Sequence, residues 1–179
     1  MKTIIYSIAL LMTMTCEAFS QATPRTVDYS ASSITFKIKN AGLNVEGTFK
    51  EYSAVVSWDP KNLAASQVEG KIKTKSISTG INGRDNHLRK EEFFHADKYP
   101  EIHFKSTAIK SQGAGYVVVG KLTIKGVTKE VSIPVSVTKT TTAEVYEGTL
   151  TINRLDFHVG EDSWVMSDDV MIAIKITTK

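Results

Sequence analysis

The sequence predicts an all-β protein: an eight-stranded antiparallel barrel with a short helical insertion around residues 82–95. Three observations predict it. Apolar and polar residues alternate over at least eight stretches. Short turns such as Gln112-Gly113-Ala114-Gly115 and Lys125-Gly126 join them. Only the region between about Ile77 and Glu101 breaks the period. Period two means strands with one dry and one wet face, and short turns between them mean antiparallel neighbours.

The first twenty residues stand apart from this pattern. Lys2 gives a positive start, Ile4 to Met12 is mostly apolar, and Ala18-Phe19-Ser20 supplies the small residues of a cleavage site. Residues 1–20 are therefore expected to be a secretory signal peptide, too short for a stable membrane anchor. Residues 21–179 are expected to form one domain, periplasmic or secreted after cleavage. Met14-Thr15 is a poor match to the small residues that lipoprotein processing at Cys16 would need. Cleavage would remove the single cysteine, so stability must come from a core and not from disulfides. It would also remove one lysine and one glutamate, leaving the net charge at +3. The lysines are scattered along alternating stretches, which marks the wet face of a sheet. No nucleic-acid stripe is present, and no later stretch is apolar enough to span a membrane.

The strands follow in order. Ile34, Phe36 and Ile38 alternate with Thr35, Lys37 and Lys39, and Val45 and Phe49 continue the dry phase. Val68, Ile72 and Thr74 alternate with Glu69, Lys71 and Lys73. Ile102 and Phe104 alternate with Glu101, His103 and Lys105. Val118, Leu122 and Ile124 share one face of the next stretch. Val131, Ile133, Val135 and Val137 alternate with Ser132, Pro134 and Ser136. Leu150 and Ile152, then Val170, Ile172, Ile174 and Ile176, complete the set. Pro134 falls on the wet phase, which suggests an edge or bulge. In the region without period two, Asn82-Gly83-Arg84-Asp85 resembles a capped helix start, with the acid three residues after the cap.

Four strands carry a glycine on the dry face: Gly47, Gly70, Gly120 and Gly148. A glycine there serves a bend at a barrel corner, relief for a large neighbour, or a hollow. The residues alone do not choose. About eight strands closed into a barrel enclose one small ligand at most.

The stretch GRDNHLRKEEFFHADKYPEIHFKST resembles the RD-x-HL-R-x-x-x-FF-x-x-x-KYP-x-x-x-F-x-S-T signature of the YceI-like family. GLNVEGTFKEY, GKLTIKGVTKEVSIPV, INRLDF and SDDVMIAI resemble its other blocks in the same order, from about Val27 to Ile176. The resemblance implies an extended lipocalin-like barrel, export to the periplasm, and binding of a long apolar chain such as a polyisoprenoid or fatty-acyl derivative. It implies no cofactor. His158 departs from the family, which more often has glycine there; the expectation is that it narrows or polarises one mouth.

The cavity wall is expected to be Ile34, Phe36, Ile38, Phe49, Ile72, Phe104, Val118, Leu122, Ile124, Leu150, Ile152, Ile172 and Ile174. Head-group or rim candidates are Arg84, Asp85, His87, Arg89 and Arg154. Arginine presents a rigid fork that pairs with carboxylate or phosphate. One reading makes Arg84 and Asp85 a clamp that fastens the short helix while Leu88, Phe93 and Phe94 plug the barrel end. In the other, a basic residue reads an anionic head. Arg154 sits on a dry phase and must be paired, with Asp168, Asp28 or the ligand.

No metal is expected. His87, His95 and His103 are spaced by eight across a helix end and into a strand, which does not converge on an ion. No catalytic residue is expected either: no serine occupies a nucleophile elbow, and Glu161-Asp162 and Asp168-Asp169 are sequence neighbours, not a dyad. Two alternatives to a non-enzymatic carrier remain at this point. One is a filled barrel that binds a partner at its surface. The other is an enzyme on lipid-linked substrates with His87 or His95 as base. A homodimer pairing two mouths would lengthen the cavity, though no residue demands it.

Overall fold

A computed structural model describes residues 22–179, and the expected signal peptide, with Cys16, lies outside the described residues. Ten strands form a single sheet: β1 (Ser33–Asn40), β2 (Leu43–Phe49), β3 (Tyr52–Ser57), β4 (Gln67–Lys73), β5 (Ile77–Ser78), β6 (Glu101–Gln112), β7 (Gly115–Ile124), β8 (Val127–Lys139), β9 (Glu144–Asn153) and β10 (Met166–Thr178). Their order is β3-β4-β6-β7-β8-β9-β10-β1-β2-β5, every pairing antiparallel. The sheet curls into an extended half-barrel. Eight strands were expected and ten are present. The additional ones give little periodic signal: β3 reads Ala54-Val55-Val56 without alternation, and β5 is two residues long.

Register makes the lining. Leu150, Ile172, Phe36 and Gly47 stand in one row across β9, β10, β1 and β2. Ile152, Val170, Ile38 and Val45 form the next row. On the other wall Ala54, Gly70, Phe104 and Leu122 align across β3, β4, β6 and β7. Because side chains alternate, each row is apolar inside and polar outside. The edge at β3 is covered by a turn, since the Ala54 amide donates to Tyr29 Oη at 3.3 Å. That cover removes an exposed edge as a template for aggregation.

Two buried clusters pack around the lumen. One gathers Ile34, Phe49, Ile77, Ile102, Leu122, Ile124, Phe157 and Val159, with Leu88, Phe93 and Phe94 packed against it. The other gathers Val56, Trp58, Ile109, Val118, Tyr146 and Ile176. Pro134 sits where β8 leaves β9: their pairing begins only at Val135, so the missing N–H breaks no ladder to β9.

The helical insertion is shorter than residues 82–95. Helix α1 spans Asn82–Leu88, and residues 89–98 continue as turns. Asn82 is not its cap. Ile81 holds that position with extended backbone and no side-chain bond, and Asp85 turns back to Thr79. The Asp85 carboxylate is needed to fasten the segment before the helix, so it does not serve the helix's own amides.

Candidate functional site

The lumen encloses a cavity of about 260 Å³. All thirteen expected wall residues line it: Ile34, Phe36, Ile38, Phe49, Ile72, Phe104, Val118, Leu122, Ile124, Leu150, Ile152, Ile172 and Ile174. Eight of these thirteen side chains, Phe36 and Ile172 among them, are only half-buried although they point inward. They keep accessible surface because the lumen in front of them is vacant. The interior is therefore not packed solid, which removes the filled-barrel alternative.

The glycines do not make this hollow. A side chain at Gly47 would collide with the Phe36 ring, and one at Gly120 with the Phe104 ring and the Lys105 carbonyl. These two glycines are seats for phenylalanines. At Gly148 the space is taken by Ile133 and Val135, and only Gly70 faces open space. The hollow comes from the girth of the curled sheet.

One end is closed by aromatics on a charged base. Trp58 meets Tyr116 and Tyr146 edge-on, at 4.8 and 5.3 Å between ring centres. Tyr146 Oη donates to Glu144 at 2.7 Å, and Arg25 lies 3.1 Å from the same carboxylate oxygen. Arg25 also donates to the Trp58 carbonyl at 3.1 Å, and Lys139 reaches the other Glu144 oxygen at 3.0 Å. Burial alone would push the Glu144 carboxyl up, but the Tyr146 and Lys139 hydrogen bonds and the Arg25 charge hold it below its ordinary value. Burial, reinforced by the bond to Glu144, pushes the Tyr146 hydroxyl well above its ordinary value. Trp58 and Tyr146 line the cavity floor, and sequence reasoning missed both. Arg25 and Glu144 are far apart in the chain, so nothing local joins them.

The other end is the lid. Leu88, Phe93 and Phe94 line the cavity, and the Gly160 amide donates to the Glu92 carbonyl at 2.9 Å. The rim candidates separate here. Arg154 is 3% exposed and fully engaged: it donates to the carbonyls of Ser167, Val159 and Glu161 and to Asp168 at 2.8–3.0 Å. Its partner is Asp168; Asp28 pairs with Lys179 instead, at 2.7 Å. Arg89 donates to the Lys75 and Ile77 carbonyls and to Asn86, each at 2.9 Å. Asp85 accepts from the Thr79 amide at 2.7 Å and from its hydroxyl at 2.5 Å. Burial would raise this carboxyl, but those two bonds and the charges of Arg89 and Arg84 keep it below its ordinary value.

His87 stands 2.9 Å from Glu92 on the exposed side, and neither it nor His95 lines the cavity. No group of three or more His, Cys, Asp or Glu converges among the described residues. His158 is exposed and outside the lining, so it does not narrow the mouth. Its φ of 55° instead explains why glycine suits that position.

Arg84 is different. Like Arg154 it lines the cavity, but its Nε and Nη2 donate only to the Thr79 hydroxyl and carbonyl, at 2.7 and 3.0 Å. Among the described residues it has no carboxylate partner within ion-pair distance. The cavity thus runs from a half-exposed rim at Asn40, Met166, Thr79 and Arg84 to the floor at Trp58 and Tyr146.

Comparisons place this geometry among known proteins. The family model of the YceI-like domain matches residues 26–178. A UPF0312 protein of Photorhabdus laumondii is 42% identical over 99 residues, 55% of this chain and 52% of that protein. One from Yersinia enterocolitica is 42% identical over 101 residues, 56% of this chain and 53% of that protein. The chain spans about half the length of the curated relatives it matches. Among crystal structures, Burkholderia cenocepacia BcnA superposes with a TM-score of 0.82 at 32% identity, over 86% of this chain and 99% of that one. A Campylobacter jejuni YceI protein gives 0.70 at 29%, over 76% and 85%. A polyisoprenoid binding domain from Saccharophagus degradans gives 0.68 at 17%, over 86% and 97%, a likeness of fold.

Proposed function

This chain belongs to the YceI-like domain family, and we propose that it is an exported, non-enzymatic binding protein that takes one long apolar chain, of polyisoprenoid or fatty-acyl type, into its lumen. The observation that carries this is the continuous apolar lining around vacant space, from Met166 to Trp58. The binding named for the Saccharophagus degradans domain, which shares the fold, is consistent with it.

The physical argument is one of length and transfer. Lining residues on β10 run from Met166 to Ile176. At about 3.4 Å per residue and a strand tilt near 40°, that is roughly 25 Å along the axis. One leaflet of a bilayer offers about 15 Å. A ligand that fills the lumen therefore outreaches an ordinary acyl chain. Each buried methylene contributes about 0.8 kcal/mol, so ten give roughly 8 kcal/mol before immobilisation costs. Tail selectivity is loose, because dispersion contacts are non-directional. The head stays at the rim, where Arg84, with no carboxylate within ion-pair distance among the described residues, favours an anionic or strongly accepting group.

Organic-solvent extraction of the purified chain followed by mass spectrometry tests this. Recovery of a long apolar molecule, with uptake of a fluorescent acyl probe lost in Phe104→Arg, supports it. An empty extract, with no probe uptake by the unaltered chain, rejects it.

A further inference from the structure

The rim carries an apolar collar that the cavity does not use. Trp164 is 98% exposed and Leu43 is 72% exposed. Val165 and Ile81 are also exposed. Register brings the first three together. Leu43 pairs with Asn40, and Asn40 pairs with Met166, across β2, β1 and β10. The Ala41 amide donates to the Val165 carbonyl at 2.7 Å, tying the β1–β2 hairpin tip to the segment that bears Trp164. Ile81 leads into α1 between Thr79 and Arg84, both of which line the cavity.

Such an arrangement is costly in water. A fully exposed tryptophan beside an exposed leucine is favoured where an amphipathic ring meets a hydrocarbon boundary. Ala41-Gly42-Leu43 and Ser163-Trp164-Val165-Met166 contain no charge. The flanks are mixed, with Lys39 on one side and Glu161 and Asp162 on the other. A protein partner read by charge would find no consistent sign here. Asn40 and Met166 belong both to the collar's row and to the cavity lining. The collar is thus continuous with the doorway through which an apolar molecule must pass.

We propose that this collar is a membrane-docking surface. Leu43 and Trp164, with Val165 and Ile81, dip into the interfacial layer of a phospholipid bilayer. The mouth then opens onto hydrocarbon, and the ligand slides between bilayer and lumen without crossing water. The proposal rests on the lumen being the binding site. Two to four inserted side chains give weak, reversible attachment, less than a stable lipid anchor gives. A carrier needs that weakness in order to leave again. Because the collar is uncharged, docking persists at high salt and on zwitterionic lipid.

The test uses residues 21–179, which retain every strand, and a Leu43→Ser/Trp164→Ser variant. Vesicles of phosphatidylethanolamine and phosphatidylglycerol carry a fluorescent long-chain acyl probe. The unaltered chain extracts the probe, and the variant does so about tenfold or more slowly, while both bind probe added from ethanol equally. Independently, vesicles with brominated acyl chains quench the Trp164 emission, resolved as the difference from Trp164→Phe because Trp58 is the chain's other tryptophan. Equal extraction rates by two proteins that both bind probe from ethanol, or no quenching of Trp164, overturn the proposal. So does a dimer that hides Trp164 and dissociates in the double variant, because the collar's occupant is then a second copy. If Trp164 is quenched but neither protein takes up probe from ethanol, docking stands and the lumen reading is what fails.

Discussion

Arg84 Nε donates to Thr79 Oγ1 at 2.7 Å, and the same hydroxyl donates to Asp85 at 2.5 Å. The arrangement holds the guanidinium at the rim with no direct ion pair, because Asp85 Oδ1 is bonded to Thr79; the Asp85 charge reaches Arg84 only through that hydroxyl and at longer range. Arg84→Met is expected to weaken an acyl or prenyl chain with a phosphate or carboxylate head by about tenfold or more, and a neutral alcohol of equal length hardly at all. Paired titrations of the two ligands check this. Equal losses would mean that Arg84 only clamps the helix.

Arg154 is the opposite case. Removing it leaves the Val159, Glu161 and Ser167 carbonyls without their donor and Asp168 without its counter-ion. Arg154→Met is expected to cost roughly 3 kcal/mol or more in urea unfolding. Its folded fraction at low temperature keeps its affinity for a fluorescent acyl probe. A stable variant with lost affinity would make Arg154 a ligand contact.

Two glycines on the dry face are expected to respond differently to alanine. At Gly47 the new methyl meets the tip of the Phe36 ring, which has the lumen to retreat into. Gly47→Ala therefore costs under about 1 kcal/mol but narrows the cavity, shortening the longest chain that binds. At Gly120 the methyl also meets the Lys105 backbone carbonyl, which cannot move alone. Gly120→Ala costs about 1–3 kcal/mol. Thermal unfolding with an acyl-length series separates the two.

Period two carried the fold and the cavity wall into view. Alternation assigns every second residue to one face, so all thirteen expected wall residues could be named before their partners were known. The seats for Phe36 and Phe104 were hidden, because which ring fills which glycine gap depends on cross-strand register. The floor was hidden for the same reason: Arg25, Trp58, Glu144 and Tyr146 meet only after the barrel curls. Arg154 could be recognised as a buried charge from its phase, while the choice among Asp168, Asp28 and ligand needed coordinates. Trp164 carries no periodic signal at all, since it sits just before β10.

Asp28 ties the segment before β1 to Lys179. Its carboxyl is lowered from 3.8 to about 2, chiefly by the hydrogen bond from Lys179 and then by those from Ser30. Its folded value lies below its unfolded one, so its contribution is complete above 3.8 and fades as the pH falls through about 2. Amide exchange at Asp28 and Lys179, which bond to Thr177 and Thr26, is expected to accelerate over that window. Asp28→Asn is expected to show fast exchange at both sites already at neutral pH. An unchanged acid step in that variant would place the titration elsewhere.

Trp58 offers the most direct test of the central claim, since it is 4% exposed and lines the cavity floor. In a Trp164→Phe background, very-long-chain fatty acyl ligands that reach from rim to floor, brominated either at the far end or next to the head, are titrated against Trp58 emission. Strong quenching by the far-end bromine and little by the near-head one is the predicted result, with both effects abolished by Phe104→Arg. Saturable binding that leaves Trp58 emission untouched for both chains would contradict a ligand lying in the lumen.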